Sequence, residues 1–276
     1  MAIPFPEISP VLFELGPLVI RWYALAYIAG LLLGWRYVIY LQRQSRLWIG
    51  GQPPLSGEQI DDLLLWIALG VILGGRLGYV LIYQPGYFLS NPDQIIAVWH
   101  GGMSFHGGLA GVIVAILWFA HRRGLNMLSV GDLVAAATPI GLFFGRIANF
   151  INSELWGRPT DMPWGVIFPN GGPLPRHPSQ IYEALLEGLL LFLLINLLIH
   201  KASILKKPGM TIGIFAVVYG ISRAFVELFR QPDPQLGFII GGLTMGMLLS
   251  LPMVLAGAAL IYWVDRNSDG TANRRK

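Results

Sequence analysis

A short run near the end of a hydrophobic segment carries an arginine, two asparagines and a glutamate: Arg146, Asn149, Asn152 and Glu154. Such residues cost several kcal/mol in hydrocarbon, so their presence in an apolar segment indicates a functional site. The first three are spaced three apart, which places them near one face of a helix. A guanidinium binds phosphate or carboxylate with two parallel hydrogen bonds. The alternative is a capped helix end with a snorkelling arginine, but the polar neighbours favour a site.

A second polar stripe lies in a later apolar segment, at Tyr219, Arg223, Glu227 and Arg230. Spacings of four, four and three residues place these side chains on one helical face. One glutamate cannot neutralise two arginines, so the stripe is predicted to carry surplus positive charge and to bind an anion. The alternative is that Glu227 forms salt bridges that only hold the bundle together.

A glycine-rich run, HGGMSFHGGLAG at 100–111, begins a third polar group. His106 would lie at the mouth of a span, and histidine is suited to proton transfer near neutral pH. A structural histidine is an equally good interpretation. Ser104 is a weak candidate nucleophile because the Gly-x-Ser-x-Gly elbow is missing around it.

Arg76 lies among glycines in another apolar segment and is a candidate for the anion site or for a carboxylate partner. Gly70, Gly74 and Gly78 are spaced for close packing of two helices. Tyr23 is followed one helical turn later by Tyr27, a spacing more often used for packing than for chemistry.

The composition is that of a membrane protein. The 276 residues are 54% hydrophobic and only 12% charged, whereas soluble domains carry about 25% charged residues. The chain has no cysteine, which excludes disulfides and a cysteine nucleophile, so any reacting thiol belongs to a partner. No metal or nucleotide motif occurs, so arginines are expected to hold a phosphate without metal or cofactor. Nucleic acid is not an expected partner.

Seven segments are long and apolar enough to cross a hydrocarbon core of about 30 Å. They lie at about 17–41, 60–84, 104–121, 127–144, 180–200, 210–229 and 238–264. No basic region precedes the first segment, so it is interpreted as a retained span rather than a signal peptide. The sequence has no internal repeat, which weighs against an inverted-repeat transporter. An all-α integral membrane protein with one polytopic domain, 1–276, is predicted.

Basic residues predict the orientation, because cytoplasmic loops are enriched in lysine and arginine. Alternate inter-span regions carry most of them: Arg43, Arg46, Arg122, Arg123, Lys201, Lys206, Lys207, Arg266, Arg274, Arg275 and Lys276. The other side carries Arg146, Arg158, Arg176 and Arg230. The N-terminus is therefore expected outside and the C-terminus in the cytoplasm. Two long loops, 85–103 and 145–179, would form a small head outside.

Five motifs together resemble one family, the bacterial prolipoprotein diacylglyceryl transferases. In chain order they are GGRLGYVLIY at 74–83, HGGMSFHGGLAG at 100–111, GRIANFINSELWG at 145–157, RHPSQIYE at 176–183 and YGISRAFVELFRQPD at 219–233. The resemblance covers nearly the whole chain, and the motif at 145–157 is the most specific.

The resemblance implies an activity at the outer face of the bacterial cytoplasmic (inner) membrane, the first step of lipoprotein maturation. The family transfers a diacylglyceryl group from phosphatidylglycerol to the lipobox cysteine thiol of a prolipoprotein signal peptide, releasing glycerol phosphate. The family's functional residues match Tyr23, His106, Arg146, Asn149, Glu154, Gly157 and Arg223. Together with Arg76, Glu227 and Arg230, these matched residues form the predicted site. Membrane lipids are further expected partners.

Two other functions fit some of the same residues. An anion or lipid transporter would line its pathway with the arginines and form no covalent product. An intramembrane hydrolase would use Ser104 and His106 and would react with serine-directed reagents.

Overall fold

The computed structural model describes residues 2–16, 18–232, 237, 239 and 241–273. Within them the fold is mostly helical. The long helices are α1 (Trp22–Gln42), α2 (Gly57–Gly78), α4 (Phe105–Arg122), α5 (Met127–Ile151) and α9 (Met245–Asn273). One further long helix consists of α6 (Ser179–Glu183), a π-helical stretch (Ala184–Leu190) and α7 (Leu191–Ala202). The shorter helices are α3 (Pro85–Ser90) and α8 (Met210–Val226).

Six of the described helices are long and apolar enough to cross a membrane: Trp22–Gln42, Gly57–Tyr83, Phe105–Arg122, Met127–Ile151, Ser179–Ala202 and Met245–Asn267. The chain therefore has the helices of a multi-pass membrane protein. The remaining predicted span, 210–229, corresponds to α8, a shorter apolar helix. At 1.5 Å per residue, α8 is roughly 25 Å long, below the usual hydrocarbon thickness.

Several predicted boundaries differ from the structure. The segment 145–151, predicted as the start of a loop, continues α5 as a helix. Residues 18–21, predicted as part of the first span, form a strand. The last helix begins at Met245 rather than at 238. Some predicted positions lie outside the described residues: 238, 240 and the basic residues Arg274, Arg275 and Lys276. Apolar composition alone does not separate a helix from a short apolar strand or turn.

The described strands are short and form two small open sheets. Strand β2 (Val11–Leu15) pairs antiparallel with β3 (Leu18–Arg21) in a hairpin. Strand β1 (Ile3–Pro4) pairs in parallel with β4 (Val166–Ile167). The second pairing joins the N-terminal segment to the 145–179 region, and isolated β-bridges at Gly157, Pro159 and Val166 give this region further backbone structure.

Helices α2 and α4 pack closely through glycines. A Cβ at Gly78 would lie 2.7 Å from the Gly107 Cα, and one at Gly74 would lie 2.8 Å from the Gly111 Cα. Both distances are shorter than real side chains show, so larger residues would push the helices apart. The close packing predicted for these glycines is confirmed.

A buried aspartate fixes the start of α8. Asp132 on α5 is 1% exposed, and its two carboxylate oxygens accept hydrogen bonds from the Gly209 and Ile212 backbone N–H groups at 2.7 and 2.9 Å. A carboxylate at a helix N-terminus satisfies N–H groups that have no partner within the helix. Since α8 carries Arg223, this contact sets its position relative to α5, which carries Arg146.

Candidate active site

The last turns of α5 carry Arg146 and Asn149 on one face. Asn149 is 5% exposed, and its Nδ2 donates to the Glu154 Oε1 at 2.7 Å. Arg146 Nη1 lies 3.5 Å from the Asn149 Oδ1. Asn152 is the C-cap of the helix, and its backbone N–H bonds to the Ala148 carbonyl. Arg146 and Asn149 are neighbours, as their three-residue spacing predicted. Glu154 joins them through Asn149, a contact that the spacing did not predict.

Glu183 is the centre of the arginine cluster. Its side chain is fully buried, and it lies 2.7 Å from Arg146 Nε, 2.6 Å from Arg223 Nη1 and 2.9 Å from Arg230 Nη1. The three arginines come from α5, from α8 and from the residues just after α8. One buried carboxylate therefore joins three cations from separate parts of the chain.

Two more glutamates complete the cluster. Glu187 is fully buried and lies 3.5 Å from Arg146 Nη2 and 4.0 Å from Arg223 Nη1. Glu227 pairs with Arg223 one turn earlier, and its Oε2 accepts a hydrogen bond from Thr244 at 2.6 Å. The sequence prediction counted only Glu227 against the arginines. Glu183 and Glu187 add carboxylates from a different helix, so the predicted surplus of positive charge is not found among these described residues.

The sequence motifs did not identify Glu183 and Glu187 as site residues. Glu183 is the last residue of the RHPSQIYE motif, and Glu187 lies outside the five motifs. The sequence does carry a signal for them, because both are charged residues in a strongly apolar span. Glu187 lies in the π-helical stretch of that span, a local widening of the helix that is frequent at functional sites.

Tyr23, matched only through the family resemblance, lies at the edge of this cluster. Its hydroxyl is 3.5 Å from the Asn149 Nδ2, and its ring contacts Tyr27 at a centroid distance of 5.2 Å. The first turn of α1 therefore reaches the last turns of α5, and Tyr27 packs against Tyr23. Tyr219, from the predicted stripe on α8, stacks on Phe215 with ring centroids 5.6 Å apart.

Gly157 contributes through its backbone. Its N–H donates to the His177 carbonyl at 2.8 Å, and a Cβ at this position would lie 2.6 Å from the Phe229 carbonyl oxygen. A side chain here would displace the chain that leads to Arg230. Arg158, the next residue, donates to the Arg230 and Glu227 carbonyls at 3.0 and 3.3 Å. Gly157 and Arg158 therefore connect the 145–179 loop to the end of α8.

The turn that carries Glu154 is held from α6. Gln180 Nε2 donates to the Glu154 carbonyl at 2.6 Å, and Ser179 Oγ donates to the Leu155 carbonyl at 2.9 Å. Leu155 has a φ of +56°, a backbone conformation that non-glycine residues rarely adopt. These bonds stabilise the strained turn and so fix the Glu154 carboxylate against Asn149.

An aromatic group packs beside this turn. The Tyr182 hydroxyl accepts a hydrogen bond from Trp164 Nε1 at 2.7 Å and lies 3.1 Å from His177 Nδ1. Burial lowers the pKa of His177 below its ordinary value of 6.5, so the neutral form of the ring predominates at pH 7. A neutral ring is able to accept from or donate to the Tyr182 hydroxyl.

Arg76 lies in a different environment, which corrects the prediction that it joins the anion site. The side chain is buried, and its guanidinium donates to the carbonyls of Ile95 at 2.8 Å and Gln94 at 2.6 Å. It also donates to the carbonyls of Gly101 at 2.5 Å and Gly102 at 3.1 Å. Four backbone carbonyls thus occupy most of its donors, so Arg76 fixes the 94–102 segment.

His106 and Ser104 lie where that segment enters α4. Ser104 is the N-cap of α4, and its Oγ accepts from the Gly107 N–H at 3.1 Å. This capping bond is a structural use of the hydroxyl and weighs against a serine hydrolase. His106 is exposed, and its ring contacts Phe105. Among the described residues, no hydrogen bond or ion pair joins His106 to the arginine cluster.

Comparison with known proteins agrees with the resemblance of the motifs. A family model described as prolipoprotein diacylglyceryl transferase matches residues 10–263. A relative from Rhodospirillum rubrum, named phosphatidylglycerol–prolipoprotein diacylglyceryl transferase, is 59% identical over 96% of this chain and 95% of its own length. Relatives with the same name from Nitrobacter winogradskyi and Brucella anthropi are 57% and 54% identical over 99% and 97% of this chain, and over 95% of their own lengths in both cases. This chain belongs to the prolipoprotein diacylglyceryl transferase family.

Proposed function

We propose that this chain transfers the diacylglyceryl group of phosphatidylglycerol to the lipobox cysteine of prolipoproteins. The cysteine sulfur would form a bond to the glycerol carbon that carries the phosphate, and the bond between that carbon and the phosphate oxygen would break. The products would be a thioether-linked lipid and glycerol phosphate. The thiol proton would be transferred to a base or to the departing phosphate.

One observation carries this proposal: the guanidinium of Arg146 is held closely at Nε and only loosely at its two terminal nitrogens. Nε lies 2.7 Å from Glu183 Oε2, whereas the contacts of Nη2 with Glu187 and of Nη1 with Asn149 are both 3.5 Å long. Terminal nitrogens with contacts this long would be able to bind phosphate oxygens while Nε keeps the side chain in position. A hydrogen-bond donor that is already in position before the reaction stabilises the negative charge of the transition state without reorganisation of the site.

The remaining site residues would position the lipid. Arg223, held by Glu183 and Glu227, would share the phosphate with Arg146. Asn149, Glu154 and Tyr23 would orient the glycerol hydroxyls. Glu227 and Arg230 would keep the end of α8 against the cluster, and Gly157 would let the outer loop approach it. Arg76 would act at a distance by fixing the segment before His106.

Thiol activation would come from the same charges. A free cysteine has a pKa of about 8.5, and nearby cations lower it. The glutamates balance the charge of the cluster as a whole. A substrate thiol on the side of Arg146 and Arg223 turned away from Glu183 would nevertheless lie nearer to the guanidinium groups than to the carboxylate and would therefore ionise more easily. His106, at the exposed start of α4, would accept the proton.

The proposed topology has seven spans, with α8 as the short sixth. The N-terminus would be outside, the C-terminus cytoplasmic, and residues 1–276 a single polytopic domain. The bundle would lie in the bacterial cytoplasmic membrane with the arginine cluster toward its outer face. The segments 85–103 and 145–179 would form the outer head, where the signal peptide arrives.

A mass measurement tests the activity. Purified protein is incubated in micelles with phosphatidylglycerol and a synthetic signal peptide that bears a lipobox cysteine. We expect a diacylglyceryl mass gain on this peptide, none on the peptide with Cys→Ser, and none with the Arg146→Ala protein. No gain with folded wild-type protein would contradict the transferase and favour a transporter.

A further inference from the structure

A cavity lined by aromatic rings and arginines lies at the opposite end of the bundle from the arginine cluster. Arg122 ends α4, and a short connection leads to Met127 at the start of α5. Helices joined in this way run antiparallel, so Arg122 and Arg146 lie at opposite ends of α4 and α5. At 1.5 Å per residue the two sites are separated by more than about 25 Å, and the cavity belongs to no part of the proposed active site.

The cavity lies between α2 and α4 and has a volume of about 520 Å³. It is lined by two indole rings, one phenyl ring and two guanidinium groups: Trp66, Trp118, Phe119, Arg122 and Arg123. Aromatic walls with a few polar groups are typical of small-molecule sites. Tryptophan is also enriched where a membrane meets water, so the cavity has the character of the interfacial region.

The polar groups of the cavity are donors. Arg123 is neutralised by an ion pair with Asp62 on α2. Arg122 lies 5.7 Å above the Trp118 ring and, in the part of the chain that the structure describes, makes no ion pair. The indole N–H groups of Trp66 and Trp118 likewise have no hydrogen-bond acceptor among the described residues. One unpaired cation and two open N–H donors therefore surround a single cavity.

We propose that this cavity binds an anionic phospholipid of the membrane, with the phosphate against Arg122 and the two indole N–H groups. Charge complementarity supports this occupant, because the open polar groups are a cation and two donors. Trp66 and Trp118 are 38% and 52% exposed on apolar helices, so acyl chains would continue along the same lipid-facing surface. A guanidinium held over an indole ring is well suited to the phosphate of a lipid with net negative charge, because its planar fork remains free for the phosphate oxygens.

Native mass spectrometry of the detergent-solubilised protein tests the site. Wild type, Arg122→Gln, Trp118→Leu and a control, Arg43→Gln, are each mixed with dioleoyl phosphatidic acid or dioleoyl phosphatidylcholine. Arg43 is an exposed arginine at the end of α1, at the same end of the bundle. We expect wild type and Arg43→Gln to retain one more phosphatidic acid than Arg122→Gln, and Trp118→Leu to retain it more weakly. Phosphatidylcholine should show no such difference.

Three results would overturn the proposal: equal retention by wild type and Arg122→Gln, the same difference with phosphatidylcholine, or the same loss in Arg43→Gln. A separate arm with inorganic phosphate measures the thermal midpoint. Stabilisation of wild type but not of Arg122→Gln by phosphate alone would identify a small-anion site and reject the lipid. Transfer to the lipobox peptide at saturating phosphatidylglycerol should be unchanged in Arg122→Gln, so this test is independent of the proposed reaction.

Discussion

Buried or partly buried arginines with several polar partners occur in two regions of the described structure, and their partners differ. Arg76 donates to four backbone carbonyls of the 94–102 segment. Arg146 and Arg223 instead face the carboxylates of Glu183 and Glu187. The carbonyl groups of a folded segment are fixed acceptors, so the contacts of Arg76 stabilise the conformation of the 94–102 segment. The side chains of Arg146 and Arg223 keep 18% and 16% of their surface exposed, so the second arrangement is also able to contact a substrate.

The largest expected effect is a loss of transferase activity when an arginine of the cluster is replaced. Replacing Arg146 with alanine removes the guanidinium that is proposed to bind the phosphate, and loss of one such hydrogen-bond donor costs about 100- to 1,000-fold in rate. Arg43→Ala, at an exposed site, should stay near wild type. Initial rates of peptide lipidation measure both. Equal losses in the two variants would remove the reason for treating the cluster as the phosphate site.

Stability gives the next test of the cluster. Glu183→Gln leaves Arg146, Arg223 and Arg230 without their shared carboxylate. Removing one partner of a buried ion pair costs about 3–5 kcal/mol, so the free energy of unfolding in mild detergent should fall by this order. Glu14→Gln, at an exposed position in β2, is the control. A Glu183→Gln protein as stable as this control would show that the three arginines need no common partner.

A smaller effect is expected at Arg76. A lysine ammonium has three donors at one point and cannot reach carbonyls as far apart as those of Gln94 and Gly102. Arg76→Lys should therefore loosen the 94–102 segment, with faster amide exchange there and unchanged exchange at the end of α5. Activity should fall about 10-fold, since small misplacements of active-site groups are costly. If exchange in the segment stays as slow as in wild type, the four carbonyl contacts do not fix it.

The smallest effect concerns His106, which follows the segment that Arg76 holds. If its ring accepts the thiol proton, His106→Gln should be slower at neutral pH. The loss should be only about 3- to 10-fold, below the ~100-fold of an indispensable base, because a thiol beside the arginines also ionises without a base. The loss should shrink as the pH approaches the free thiol pKa of about 8.5. The pH dependence of initial rates provides the measurement. A loss that is constant with pH would assign His106 to positioning rather than to proton transfer.

Local patterns in the sequence were sufficient to predict much of the fold. Apolar length predicted helices that the structure contains, because a helix satisfies its backbone within one segment. The small-residue spacing on α2 predicted its close contact with α4. Three-residue spacing brought Arg146 next to Asn149, since neighbours on a helix face depend only on helical geometry. Boundaries were less certain, as the continuation of α5 to Ile151 shows.

The sequence by itself determined an apolar helical bundle, the family, and which polar residues lie inside apolar segments. Only the tertiary structure decided which of those residues meet. Glu183 lies far along the chain from both Arg146 and Arg230, yet it contacts both, whereas Arg76 contacts carbonyls rather than the cluster. The physical reason is that a buried charge must be satisfied by whichever groups helix packing places against it, and packing between distant segments cannot be derived from local spacing.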